Sequence, residues 1–337
     1  MPLPFTACLA AVASAAAIWA AIPWLKQRGA VACENSRTMH RGSVPKGGGG
    51  PLLAAAGLAV VISPLSPASP PWAYLGLGAL VLAALSWRDD LGHLPAYVRL
   101  PVHLATAMLL VSGLQPEIAI FQGFLPHWAD RAATVIVLAW MVNLYNFMDG
   151  INGMAGAETI SISLGYLLIG SAGGLALAYA PLAAALLGAS AGFLVWNARE
   201  KPLVFLGDVG SVPLGFLMGA LMLDLAQRGL WAAALILPAY YLADATLTLF
   251  SRLLRGERLW EAHKSHAYQR AAEAVGKHLP IVGRVVLVNA LLIGAAIMSV
   301  RLPVPALALA FLVVAILLVS LAVTARTRSL GSDPSPR

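Results

Sequence analysis

Long apolar stretches separated by short polar ones run the length of the chain. Eleven of them, at about 5–22, 50–65, 72–87, 101–114, 131–148, 158–173, 177–196, 211–226, 230–250, 284–300 and 304–323, read as helices that cross hydrocarbon. A crossing needs about 20 mostly apolar residues, and several of these stretches, 101–114 above all, are short. No internal repeat of fixed period accompanies them. The pattern predicts an all-α, polytopic integral membrane protein with about eleven transmembrane helices, forming a single membrane domain over residues 1–337.

Charge orients that bundle. With the N-terminus outside, the loops 23–49, 88–100, 149–157, 197–210 and 251–284 and the tail 324–337 share the inner side. Together they carry 19 of the 22 Lys and Arg. Only Arg131, Arg228 and Arg301 fall on the other side, so the positive-inside rule predicts a cytoplasmic C-terminus. Composition agrees: 59% of residues are apolar and 11% charged, with a mean hydropathy of +0.79. A soluble chain carries about 25% charged residues, so a soluble enzyme, a disordered chain and a disulfide-stapled domain are excluded. The net charge of +7 is a topology signal and an attraction to membrane lipid. It does not predict nucleic acid, because no basic run is interleaved with aromatic residues. Ala13-Ser14-Ala15 looks like a signal cleavage site, yet no Lys or Arg precedes the first stretch while Lys26 and Arg28 follow it. An uncleaved first helix is expected. Cys8 lies in that helix and Cys33 in an inner loop, so neither a disulfide nor a zinc site is expected from them.

The acidic residues concentrate on the same side, eleven of fifteen being inside. Asp89, Asp90, Asp149 and Asp208 sit where an apolar stretch meets an inner loop. Carboxylates beside hydrocarbon are costly unless paired or metal-bound. Either they mark helix ends in the headgroup region, or, converging from separate hairpins, they form a divalent-cation and phosphate site.

Five polar motifs give that second reading content. In Trp87-Arg88-Asp89-Asp90-Leu91-Gly92-His93, adjacent carboxylates suit cation binding and proton transfer. In the stretch 143–153, Asn143, Asn146, Asp149 and Asn152 recur every three residues, which on a helix makes one polar stripe. In Phe205-Leu206-Gly207-Asp208-Val209-Gly210-Ser211, glycines beside an Asp at a helix N-terminus suit a phosphate and its metal, with an N-cap role for Asp208 or Ser211 as the plainer reading. His263, His266 and Arg270 follow an i, i+3, i+7 spacing, one helical face of donors suited to a pyrophosphate. The stretch 34–50 ends in four glycines after Lys46, resembling a phosphate cradle without the Gly-Lys-Ser/Thr ending of a P-loop. Taken alone it reads as a flexible loop.

In this order the five motifs resemble the polyprenyl-phosphate N-acetylhexosamine-1-phosphate transferases of glycosyltransferase family 4. The resemblance runs from about Glu34 to Arg270. It implies transfer of an N-acetylhexosamine 1-phosphate from a UDP-amino sugar to polyprenyl (undecaprenyl) phosphate, with release of UMP. It also implies Mg²⁺ as cofactor, with Mn²⁺ as a substitute, and a site on the cytoplasmic face of a bacterial inner membrane. It admits a homodimer. By position it assigns Asp89, Asp90 and Asp149 to catalysis, and Asp208 with Asn146 to the metal. Lys46, Arg99, Asn152, His263, His266 and Arg270 are assigned to substrate binding. Asn152 departs from the Asp found in many members; an amide can still bond a uracil edge. The peptidoglycan branch, which transfers phospho-MurNAc-pentapeptide, bears a triple-His loop. This chain has His-Lys-Ser-His and an eleventh apolar stretch, both resembling the branch that starts O-antigen and related surface polysaccharides. A transporter or lipid-binding scaffold is the reading of another class, for which Asp244 inside the ninth stretch would be a coupling carboxylate. Transporter sites, however, lie near the midplane, often between repeats.

Overall fold

A computed structural model describes residues 3–28, 31–32, 44–63, 70–92, 94–115, 117–258 and 263–329. Residues 34–43 of the 34–50 motif, together with His93, Glu261 and Asp333, lie outside the described residues. Thirteen helices and one two-stranded ladder are present among them. The helices are α1 (Leu3–Gln27), α2 (Gly49–Ile62), α3 (Pro70–Gly92), α4 (Ala96–Ser112), α5 (His127–Met148), α6 (Met154–Gly173) and α7 (Ala180–Asn197). They continue with α8 (Asp208–Gln227), α9 (Trp231–Ile236), α10 (Ala239–Leu254), α11 (Ala267–Val275), α12 (Leu279–Ser299) and α13 (Pro303–Ser329). Strands β1 (Val31–Ala32) and β2 (Val44–Pro45) pair antiparallel.

Among the described residues, each of the eleven apolar stretches overlaps a helix, and several run past its ends. Six helices (α1, α5, α7, α8, α12 and α13) are long and apolar enough to cross a membrane, while α2 and α4 are apolar but shorter. The chain is an all-α, multi-pass membrane protein. One expected element is divided: the stretch 230–250 is two helices, α9 and α10, broken at Leu237–Pro238. Proline has no N–H to give the preceding turn, and its own carbonyl accepts the Leu242 N–H at 2.9 Å to start the next helix.

Helix α8 is the axis of the bundle. Every residue from Val209 to Ala226 is buried, and α2, α3, α5, α6 and α9 pack around it. Small residues set its distance from α5. A Cβ on Gly215 would lie 2.7 Å from the Met141 carbonyl oxygen, and one on Gly219 would lie 2.4 Å from a Leu138 methyl. This small-xxx-small spacing lets two backbones touch where lipid supplies no hydrophobic drive between helices. The C-terminal end of α3, the C-terminal end of α5 and the N-terminal end of α8 thereby meet at one end of the molecule. There α11, too short to span, packs against α13.

Candidate active site

The two adjacent aspartates of α3 do different jobs, because neighbours on a helix point about 100° apart. Asp90 reaches α8, where its carboxylate accepts the Asp208 N–H at 3.1 Å and the Val209 N–H at 3.0 Å. The free N–H groups that the sequence offers to a phosphate at this helix start are therefore held by Asp90. The N-cap position belongs to Gly207, with no side-chain cap from Asp208 or Ser211. Gly207 has φ +74°, and a Cβ there would stand 2.7 Å from Asp90 Oδ2, so glycine is required for the approach.

The glycine run after Lys46 is neither a cradle nor a loose loop. The N–H groups of Gly47 and Gly48 go to the Phe205 carbonyl and that of Gly49 to the Leu206 carbonyl, while Phe205 N–H returns to Pro45. These bonds pin the start of α2 against the 205–210 turn and bring Lys46 to the carboxylates. Lys46 forms no ion pair among the described residues, yet its charge acts on both Asp90 and Asp149.

Asp89 is buried and occupied. It accepts the Leu94 N–H at 2.5 Å and a 2.8 Å ion pair from Arg99. The same guanidinium nitrogen lies 3.8 Å from Asp208 Oδ2, so Arg99 bridges α3 and α8.

At the end of α5 the expected helical stripe is cut short. The helix stops at Met148, with Asp149 in a non-helical conformation and Gly153 at φ +86°. Glycines on both sides of the turn explain the stop. Asn146 faces the cluster and donates to Asp208 Oδ1 and to Ser211 Oγ, both at 2.9 Å. Asn143 turns back onto its own helix, donating to the Ala139 carbonyl. Asn152 is carried away from the cluster. It is 2% exposed, donates to the Arg199 carbonyl at 2.8 Å, and leaves its own amide oxygen buried without a partner. It ties the 149–153 turn to the 197–207 segment.

Asp149 alone among the four site aspartates has a carboxylate with no hydrogen bond or ion pair among the described residues. Burial, then the charges of Asp208 and Asp90, hold it well above the usual carboxylate range. Burial and the Asp208 charge likewise push Asp90 up to about 7, against the opposing hydrogen bonds of Val209 and Asp208. Asp208 raises both Asp90 and Asp149, and Asp90 raises Asp149, so acidic groups are crowded into one place. Such a site fits a divalent cation, although no group of three or more His, Cys, Asp or Glu among the described residues is arranged as a ready-made cage.

The histidine motif is not one helical face. Helix α11 begins only at Ala267, with His266 at its extended N-cap position and His263 outside it. His266 is buried and its ring stacks between His263 (centroids 4.9 Å apart) and Tyr268 (5.8 Å). Burial, then His266 and Arg252, push His263 down to about 4, so it is neutral near pH 7 and accepts from Ser265. Arg270 is exposed and, among the described residues, makes no hydrogen bond or ion pair with the cluster, leaving its charge open to solvent. Tyr268, which the spacing of the basic residues does not reveal, bonds the Phe147 carbonyl at 2.9 Å and so joins α11 to the turn that carries Asp149.

The described geometry thus brings Lys46, Asp89, Asp90, Arg99, Asn146, Asp149 and Asp208 together, sets the His263–His266 segment beside the Asp149 turn, and leaves Asn152 behind it. Residues 72–226 match the model of the family described as glycosyl transferase family 4. The chain is 25% identical, over 72% of its length and 69% of the relative's, to a Bacillus subtilis protein described as "Probable undecaprenyl-phosphate N-acetylglucosaminyl 1-phosphate transferase". It is 29% identical, over 59% of its length and 68% of the relative's, to a phospho-N-acetylmuramoyl-pentapeptide-transferase of Chlamydia trachomatis. A Streptococcus thermophilus protein of the same description is 32% identical over 43% of this chain and 39% of its own. The segment that matches glycosyl transferase family 4 holds the Asp89–Asp90 pair, the Asn146–Asp149 turn and the start of α8.

Proposed function

We propose that the protein transfers an N-acetylhexosamine 1-phosphate from a UDP-sugar to polyprenyl phosphate, releasing UMP and beginning a lipid-linked surface glycan of the O-antigen type. The observation that carries this reading is the meeting of Asp90, Asp149 and Asp208 with Lys46 and Arg99 at one end of a membrane bundle. In the proposed step an oxygen of the lipid phosphate bonds to the sugar-bearing phosphorus, and the bond from that phosphorus to the UMP oxygen breaks. No base is required for the attack, because a phosphate monoester has its second pKa near 6 and is mostly dianionic at pH 7.

Two phosphorylated substrates repel each other, so catalysis here is chiefly positioning and charge stabilisation. Lys46 and Arg99 supply positive charge on two sides of the carboxylates. Asp90 fixes α8, and Asn146 orients Asp208. Mg²⁺, with Mn²⁺ as a substitute, is the proposed cofactor. Asp149 and Asp208 would hold it, and it would neutralise charge on the transferred phosphoryl group. The charge asymmetry of the loops supports a site on the cytoplasmic face of the inner membrane.

The test is to incubate the detergent-purified protein with undecaprenyl phosphate, Mg²⁺ and a panel of UDP-sugars, and to measure UMP. Release with a UDP-N-acetylhexosamine supports the proposal; absence of release with every donor sinks it. The Chlamydia relative favours a second reading, phospho-MurNAc-pentapeptide transfer. UMP release from UDP-MurNAc-pentapeptide alone would select that reading.

A further inference from the structure

Asp244 is a carboxylate 1% exposed within α10, deep in an apolar stretch, where an ionisable group needs a reason to be. Four hydrogen-bond donors and one imidazole surround it. Tyr240 Oη and Thr248 Oγ1, one turn to either side on its own helix, donate at 3.0 and 3.2 Å. Two backbone N–H groups of the first turn of α11 also donate, Ala267 at 3.0 Å and Tyr268 at 3.3 Å. His266 Nδ1 lies 3.4 Å away, close enough for charge attraction though not aligned as a hydrogen bond. The residue at the N-cap of α11, His266, makes no side-chain cap bond, so Asp244 does that work from 23 residues away. A carboxylate at a helix start satisfies orphan donors and meets the positive end of the dipole.

What the clamped turn touches gives the arrangement its meaning. Tyr268 bonds the Phe147 carbonyl at 2.9 Å. A Cβ on Gly150 would stand 2.3 Å from Tyr268 Oη and 2.6 Å from Gln269 Nε2, so the 147–150 turn lies flat against α11. Asp149 is in that turn. On α10, the helix that carries Asp244, the buried Arg252 holds the approach to the histidine segment, through Glu257 Oε2 at 2.7 Å and the Arg258 carbonyl at 2.9 Å.

We infer that Asp244 is a positioning residue for the nucleotide-sugar end of the reaction: it fixes the start of α11 so that His266 stays stacked and Tyr268 braces the turn carrying Asp149. The inference rests on the proposed function only for the identity of the donor. A coupling carboxylate of a transporter would need an open coordination shell, and this one is filled by donors on two elements.

The experiment uses the full-length protein in detergent, comparing Asp244→Ala, Asp244→Asn and Tyr268→Phe with the unsubstituted chain. Removing bonds to a charged acceptor should speed amide hydrogen exchange at Ala267 and Tyr268 by about 10- to 100-fold in Asp244→Ala. KM for the UDP-sugar should rise by at least about 10-fold, with half-saturating Mg²⁺ rising alongside it because the braced turn carries Asp149, while KM for polyprenyl phosphate changes less than about 2-fold. Asp244→Asn should recover part of the donor KM, because an amide oxygen still accepts one backbone N–H. Tyr268→Phe should raise the donor KM while Ala267 stays protected, and it decides the case should Asp244→Ala fail to fold. Unchanged exchange at Ala267 and Tyr268 in Asp244→Ala would overturn the clamp. A fall in kcat with the donor KM unmoved, in either Asp244→Ala or Tyr268→Phe, would overturn the positioning role. Should the unsubstituted protein release no UMP from any donor, the proposed function fails, and the exchange measurement still decides the clamp.

Discussion

Among single side chains, the acidic residues of the site are told apart by what already occupies them. Asp149 has its oxygens free, whereas Asp90 and Asp89 spend theirs on backbone N–H groups and Arg99. Asp149→Asn is therefore expected to leave folding intact and to lower turnover by at least ~10²-fold, the scale of removing a main electrostatic stabiliser. UMP release together with a melting curve checks both halves. Asp90→Ala should show the opposite balance in its melting curve. It strands two N–H groups at the start of α8, a loss of about 1–3 kcal/mol for each unsatisfied group before relaxation. Near-normal melting of Asp90→Ala would mean that water caps α8 as well as the carboxylate does. The residue types at this site were legible in the sequence: Asp90, Asp149, Asp208, Lys46 and Arg99 all meet. Their partners were not. The contact between Asp90 and the start of α8 joins residues 118 apart, which no local spacing reports. The three-residue period from Asn143 to Asn152 misled because Gly150 and Gly153 end the helix before the stripe is complete.

For the helices, the lengths of the apolar stretches gave the elements, since hydrocarbon imposes them. The breaks came from chemistry that hydropathy averages away: Pro238 inside the ninth stretch, and α11 starting only at Ala267, so that the helical face expected from His263 to Arg270 is cut short at its beginning. The contact between α5 and α8 offers a test of packing. Gly215→Val places new carbon atoms where the Met141 carbonyl and the Tyr145 Cβ already stand, each 2.7 Å from an added Cβ. Overpacking of this kind costs about 1–3 kcal/mol. It should also push Asn146, one turn along α5 from Val142, off Asp208. The expected result is a lower melting temperature and lower turnover together. A substitution that melts normally would show that α5 can slide along α8. Helix α13 makes a separate point, because it packs on α11 as well as on its neighbour α12. The eleventh apolar stretch is thus a buttress for the helix that Asp244 clamps.

For the molecule as a whole, the distribution of basic residues makes the orientation testable. Single cysteines replacing Glu200 and Lys264 should react only with reagent that reaches the cytoplasm, and one replacing Glu117 only with reagent added outside. The basis is the 19 of 22 basic residues on one side. Labelling of the Lys264 position from outside would invert the bundle and the site with it. The capping of α8 by Asp90 also has a consequence for how the molecule is made. Residue 90 is synthesised well before residue 208. A nascent chain that has inserted α3 must therefore carry a carboxylate at the membrane boundary without its eventual donors while five further helices (α4 to α7, then α8 itself) are translated. The same delay separates Asp149 from α11. The candidate site is consequently a late product of biogenesis, closed only when the ninth apolar stretch and the helix after it have emerged. Chains stalled earlier should expose their unpartnered acids to membrane quality control, and should be cleared rather than accumulate as partly active enzyme.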